Sequence, residues 1–275
     1  MKSSDGTEGG MASPAVAQAA EPWYREVGDE CEIFERAYTL KTPLLLKGPT
    51  GCGKSRLVEY MAMRLGRPLV TVACHDETSA IDLMGRYLLE GGETVWQDGP
   101  VTRAVRGGAI LYLDEFAEAR SDVVVVVHPL ADHRRSLFLD RHDELIAAPD
   151  EFMLVVSFNP GYQRGVKELK PSTRQRFIGI TFDYPKADVE CEIVVGETGV
   201  EEASARKLVA LAAKLREVEA LGLAERPSTR LLVNAARLLH AGVPPRAACN
   251  HAIVEALTDE REVATGLRDL VALVF

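Results

Sequence analysis

The hydrophobic pattern changes rhythm along the chain. Between residues 44 and 182, short unbroken apolar runs recur: Leu44–Lys47, Pro68–Ala73, Ala109–Leu113, Met153–Phe158 and Ile178–Phe182. Strands buried on both faces read this way, and such strands belong to parallel sheets. Between the first two runs, Lys54–Leu65 carries Leu57, Met61 and Leu65 at helical spacing. Strands alternating with helical segments predict an α/β domain with a parallel five-stranded sheet covered by helices. After about Pro185 only helical periodicity remains. Leu208, Leu211, Leu215 and Val218 form one stripe, and Leu231, Ala235, Leu238 and Leu239 a second. Ala248–Leu257 and Val263–Val274 supply two more helices. The pattern predicts a flexible tail over 1–20, an α/β domain over 21–190 and a small all-helical lobe over 191–275.

Two excursions break the alternation. Ser136–Asp140 and Glu144–Ala148, separated by Arg141-His142-Asp143, predict a β-hairpin projecting from the domain. Arg86–Pro100 (RYLLEGGETVWQDGP) interrupts the helical layer with Gly91-Gly92 and a lone Trp96. Insertions of this length in a compact domain point to working loops.

Composition narrows the function classes. With 275 residues, 47% of them hydrophobic and 27% charged, the chain has the make-up of a soluble globular protein that needs no disulfide or metal staple. Its net charge of −9 argues against a nucleic-acid backbone or an anionic membrane as the main partner. No apolar run is long enough to span a bilayer, and the first twenty residues lack the pattern of a secretory signal. Cys31, Cys52, Cys74, Cys191 and Cys249 are odd in number, scattered and without a C-x-x-C pair, as expected of reduced thiols in the cytoplasm. His128 and His133 form no metal constellation with nearby Cys or acid and are expected to be solvated or capping.

The chemistry concentrates where the first apolar run ends. Gly48-Pro49-Thr50-Gly51-Cys52-Gly53-Lys54-Ser55 matches G-x-x-x-x-G-K-[ST] between a strand and a helix, the context this motif requires. Its glycines let backbone N–H groups curl around a β-phosphate, and the helix N-terminus adds positive potential. Lys54 is expected to neutralise the β- and γ-phosphates of ATP, and the Ser55 hydroxyl to ligate Mg²⁺. Asp114-Glu115 ends the third strand at the edge where open α/β sheets bind ligands. Asp114 is expected to hold Mg²⁺ through water, and Glu115 to orient and deprotonate the attacking water. Asn159 ends the fourth strand at the same edge, poised to bond that water or the γ-phosphate. By local chemistry alone it could instead open the turn Asn159-Pro160-Gly161.

Together the phosphate loop, Asp114-Glu115, Asn159, Arg174/Arg176 and the trailing helices resemble an AAA+ ATPase, and the two insertions resemble its MoxR branch. Leu46–Ser55 (LKGPTGCGKS), Gly85–Leu89 (GRYLL), Trp96–Pro100 (WQDGP), Pro160–Gln163 (PGYQ) and Leu169–Phe177 (LKPSTRQRF) resemble the CbbQ/NorQ/NirQ subgroup more narrowly. Phe116-Ala117-Glu118 departs from the Ile-Asn-Arg of many MoxR proteins. The resemblance implies that Arg174 and Arg176 reach a neighbouring subunit's γ-phosphate. It also implies that Arg230 senses phosphate within its own subunit, that Val27-Gly28 face adenine, and that Val123–Val127 is core helix. It further implies a ring, expected to be hexameric, that uses ATP to remodel a protein client beside a von Willebrand factor A domain partner. CbbQ-like members resemble a Rubisco activase motor that releases inhibitory sugar phosphates, which carries carboxysome association as one possible location. NorQ/NirQ-like members mature nitric oxide reductase. Trp23–Glu35 and Leu169–Phe177 lean toward the CbbQ side. Rival classes are a P-loop small-molecule kinase, a nucleotide-gated assembly module and a nucleic-acid motor; Glu115 beside Asp114 counts against the first, the acidic balance against the last.

Overall fold

Each of the five apolar runs forms a strand of one parallel sheet in the computed structural model, which describes residues 22–160, 169–217, 223 and 225–275. The expected tail, Gly161–Gln163 of the PGYQ stretch and Val218 lie outside the described residues. Helix α1 (Glu30–Thr39) leads into β1 (Leu44–Lys47), the phosphate-loop segment and α2 (Lys54–Arg64). Next come β2 (Leu69–Ala73), α3 (Ala80–Met84), β3 (Gly85–Glu90), β4 (Glu93–Asp98), α4 (Pro100–Arg106) and β5 (Ile110–Asp114). Helix α5 (Ser121–Val127), β6 (Ser136–Leu139), β7 (Glu144–Ala147), β8 (Met153–Phe158), α6 (Pro171–Arg174) and β9 (Ile178–Thr181) complete the α/β part.

The sheet order is β2-β5-β8-β1-β9, with every pairing parallel. Alternation along the strands sorts the cores. Leu44, Leu46, Ile110, Tyr112, Met153 and Val155 pack with α1 and α2 on one face. Leu45, Leu111, Leu113, Leu154 and Val156 pack on the other with α4, α5 and the β6–β7 hairpin. Burial on both faces is why the runs read as continuous rather than alternating. The Val123–Val127 stretch is helical despite its β-forming residues, with Val123 and Val127 buried. Packing outweighs propensity there.

The helical lobe begins at α7 (Ala187–Thr198), whose Cys191 and Val194 belong to its core. It continues through α8 (Glu202–Glu217), α9 (Thr229–His240) and α10 (Pro245–Cys249). A π-helical turn (Asn250–Val254), α11 (Glu255–Leu257) and α12 (Arg261–Val274) finish it.

Both insertions differ from expectation. The β6–β7 hairpin does not project: Leu137, Leu139 and Ile146 are buried in the sheet core, while Phe138 and Leu145 face outward. One apolar face is enough to dock a hairpin. The Arg86–Pro100 insertion, read from sequence only as a working loop, forms a second antiparallel hairpin, β3–β4, turning at Gly91-Gly92. Trp96 is not alone. Its ring stacks on His142 of the other hairpin at 4.9 Å and meets Tyr87 edge-on at 5.1 Å. The Tyr87 hydroxyl lies 3.0 Å from His142 Nδ1, and Arg106 bridges Asp98 and Glu144. These contacts clasp the two hairpins together.

Candidate nucleotide site

An open cleft of about 520 Å³ lies between the C-terminal edge of the sheet and the helical lobe. Its floor is the loop from β1 to α2. Gly51 sits at φ +70, and a Cβ there would meet Ser228 Oγ at 2.6 Å, so only glycine admits both the turn and this close approach of the lobe. No side chain caps the N-terminus of α2. Its first N–H groups are the anion-binding groups of such a loop. The buried Lys54 ammonium donates to Gly48 O at 2.9 Å, Pro49 O at 2.8 Å and Asn159 Oδ1 at 2.8 Å. Burial lowers its pKa from the ordinary lysine value, and an anion arriving beside it would shift that pKa back up by stabilising the charged form.

The acid pair stands opposite. Ser55 Oγ lies 3.5 Å from Asp114 Oδ2. A hydroxyl and a carboxylate at this spacing are hard oxygen donors of the kind Mg²⁺ takes with water and phosphate; the residues fit the ion. Glu115 occupies the left-handed region at φ +54, costing about 1–3 kcal/mol for a non-glycine residue. Its N–H is held by Ser157 Oγ and Asp114 Oδ1, both at 3.2 Å, which fixes this conformation. Burial, then Asp114, raises the Glu115 pKa above the ordinary glutamate value. A carboxylate so disposed is a stronger base than a solvated one.

Across the cleft, the lobe contributes Thr229, Arg230, Asn234 and Arg237 to the lining. The start of α9 is fixed by a buried carboxylate. Glu190 is 1% exposed, accepts two bonds from Arg216 at 2.7 and 2.8 Å, and accepts a third from Thr229 Oγ1 at 2.7 Å. Arg216 also donates to Pro227 O at 2.9 Å. Trp23, Tyr24 and Val27 close one side; the Trp23 ring lies against Gly196 of α7 and Tyr24 stacks on Tyr60 of α2.

The structure brings together Gly51, Lys54, Ser55, Asp114, Glu115, Asn159, Val27 and Arg230, with Thr50, Cys52 and Gly53 also on the lining. Gly48 and Pro49 turn their carbonyls to Lys54 instead. Gly28 does not line the cleft: its N–H and that of Val27 are both taken by Glu30, at 2.7 Å. Arg174 and Arg176 are also absent from the lining. Arg174 lies over the Phe158 ring at 5.5 Å, and Arg176 bonds Ser172 O one turn back. His128 is half-buried at the C-cap position of α5, and its ring bonds Thr173 Oγ1 at 3.1 Å in the turn that leads to both arginines. Its pKa is lowered by burial first and by Arg176 second.

Sequence reasoning missed Tyr112, Ser157, Glu190 and Arg216. The first two carried a signal, as polar residues two positions before Asp114 and Asn159 in otherwise apolar strands. The ion pair carried none, since its members are 26 residues apart.

Residues 43–177 match the AAA domain family of the dynein-related subfamily, and residues 190–274 the CbbQ/NirQ/NorQ C-terminal family. The chain is 55% identical to the denitrification regulatory protein NirQ of Pseudomonas aeruginosa, over 92% of this chain and 98% of that one. It is 57% identical to NorQ of Paracoccus denitrificans (92% and 94%) and 52% identical to CbbQ of Hydrogenophilus thermoluteolus (93% and 96%). A crystal structure of a candidate ATPase from Cytophaga hutchinsonii shares the fold at TM-score 0.50 and 17% identity, covering 90% of this chain and 89% of that one. With relatives this similar over nearly their whole length, the chain belongs to the CbbQ/NirQ/NorQ family of AAA+ ATPases.

Proposed function

We propose that this ATPase is the motor subunit of a ring that binds ATP with Mg²⁺ and uses hydrolysis to remodel a protein client, working with a von Willebrand factor A domain partner. The observation that carries this reading is the division of the cationic groups. Lys54 and Arg230 line the cleft that holds Asp114, Glu115 and Asn159, whereas Arg174 and Arg176 do not. With Arg174 and Arg176 given the phosphate-sensing role that the family resemblance implies, they serve the cleft of a second copy, and a ring supplies that copy to every subunit. In this reading Lys54 binds the β- and γ-phosphates, Glu115 takes the proton of the attacking water, and Asn159 orients that water. Arg230 binds phosphate from the lobe of the same subunit. Ser55 and Asp114 hold Mg²⁺, whose role is to neutralise the phosphate charge.

The clasped hairpins are the proposed client or partner face. Tyr87, Leu89, Val95, Phe138 and Leu145 are exposed on them, an apolar set that a protein surface can cover. The client proposed from the sequence is Rubisco blocked by sugar phosphates. The identities of 57% and 55% to NorQ and NirQ, against 52% to CbbQ, keep nitric oxide reductase maturation as the second reading. The test is the full chain, with its von Willebrand factor A domain partner and ATP, added to inhibited Rubisco and, separately, to unmatured nitric oxide reductase. Recovery of carboxylation supports the first client and recovery of nitric oxide reduction the second. ATP-dependent recovery of neither contradicts the remodelling role assigned to these two clients.

A further inference from the structure

Strand β5 ends Tyr-Leu-Asp, and its alternation turns Tyr112 toward α2 on the face opposite Leu111 and Leu113. Tyr112 is 1% exposed, and a phenol so buried must find partners for its hydroxyl. It finds two. The hydroxyl donates to Asp114 Oδ1 at 2.8 Å and lies 3.2 Å from Ser55 Oγ. Ser157, fully buried on the adjoining strand β8, donates to the same Asp114 oxygen.

The donor bookkeeping fixes directions. A phenol has a single proton, and here that proton goes to Asp114. Toward Ser55 the Tyr112 oxygen is therefore an acceptor, and the single Ser55 proton has two acceptors, Tyr112 Oη at 3.2 Å and Asp114 Oδ2 at 3.5 Å. With its proton directed to β5 in either case, Ser55 turns its lone pairs to the cleft. On Asp114, Oδ1 is occupied by two hydroxyl donors and the Glu115 N–H at 3.2 Å. Its other oxygen, Oδ2, keeps only the long 3.5 Å approach of Ser55 among the hydrogen bonds of the described residues.

We propose that Tyr112, assisted by Ser157, is a positioning residue that presets both oxygen donors for the divalent cation accompanying the nucleotide. The proposal rests on the reading of Ser55 and Asp114 as the cation's ligands. Tyr112 touches neither nucleotide nor metal; it acts through the two side chains that do. Residues that orient metal ligands in this way are commonly worth about 10- to 100-fold in metal affinity.

The test is binding rather than turnover. Mn²⁺ is titrated into the full chain with AMP-PNP and followed by electron paramagnetic resonance, and AMP-PNP affinity is measured separately in EDTA by calorimetry. Tyr112→Phe keeps the ring and removes the hydroxyl. It is expected to weaken Mn²⁺ by roughly tenfold while leaving AMP-PNP affinity in EDTA unchanged. Ser157→Ala is expected to weaken Mn²⁺ less, since Ser55 keeps its acceptor. Unchanged Mn²⁺ affinity in Tyr112→Phe overturns the proposal, and so does an equal loss of AMP-PNP affinity in EDTA, which marks a general disturbance of the sheet. If Tyr112→Phe does not fold, Ser157→Ala decides in the same way. A wild-type chain that binds AMP-PNP but takes up no Mn²⁺ with it contradicts the ligand assignment beneath the proposal.

Discussion

Arg230 and Arg176 look alike in the sequence, each following a hydroxyl-rich turn beside a short polar stretch, yet the fold puts them in different places. Arg230 opens α9 on the wall of the chain's own cleft, behind a start fixed by the Glu190–Arg216 pair. Arg176 follows α6, a turn anchored by Thr173 on His128, and takes no part in that cleft. The difference lies in the elements that carry them. The start of α9 packs against the phosphate loop, where Ser228 and Arg230 approach Gly51, whereas α6 leads from β8 toward the edge strand β9. An arginine's local sequence therefore says little about whether it reaches its own chain's cleft; the connection between strands decides.

Substitutions at each position test this contrast. The largest effect is expected from Lys54→Ala, which removes the buried cation of the phosphate loop. Nucleotide binding should fall below detection by calorimetry with an ATP analogue, and unchanged affinity would remove the loop from the account. Arg176→Ala should leave that affinity intact and lower hydrolysis by about 10³- to 10⁵-fold, the range for an arginine supplied to phosphoryl transfer by another subunit. A single-turnover phosphate-release assay reads it. Glu115→Gln should also retain ATP and lose about 10²- to 10⁴-fold in kcat, since an amide cannot accept the proton. Hydrolysis at the wild-type rate would exclude Glu115 as the base. The smallest effect is a pH shift. Burial and Asp114 raise the Glu115 pKa, so the group protonates sooner as pH falls. The acid limb of kcat/KM should therefore lie above the ordinary glutamate range and disappear in Glu115→Gln. A limb at or below that range would contradict the electrostatics of the site.

The sheet was legible because its central strands β1, β5 and β8 are buried on both faces, which leaves unbroken apolar runs. The phosphate loop was legible because glycine, lysine and serine must stand at fixed spacing for backbone amides to enclose a phosphate. The hairpin β3–β4 was not, because Leu88 and Leu89 are adjacent apolar residues that blur the alternation, and the Gly91-Gly92 turn reads equally as a flexible loop. The His142–Trp96 clasp and the Glu190–Arg216 pair join residues distant in sequence, so no local pattern encodes them. Tyr112 lay between these cases: its polarity inside an apolar strand is visible, but its partners are assembled by the parallel register of β5 with β8 and the start of α2.

Mixed rings test most directly the proposed completion of each cleft by Arg176 of the next subunit. Arg176→Ala has an intact phosphate loop and Lys54→Ala has an intact arginine, and each alone is expected to be inactive. Mixed in one ring, some clefts receive both, so hydrolysis should reappear and peak at an intermediate mixing ratio, with mixed rings verified by native mass spectrometry. No recovery at any ratio in verified mixed rings would contradict action across the interface.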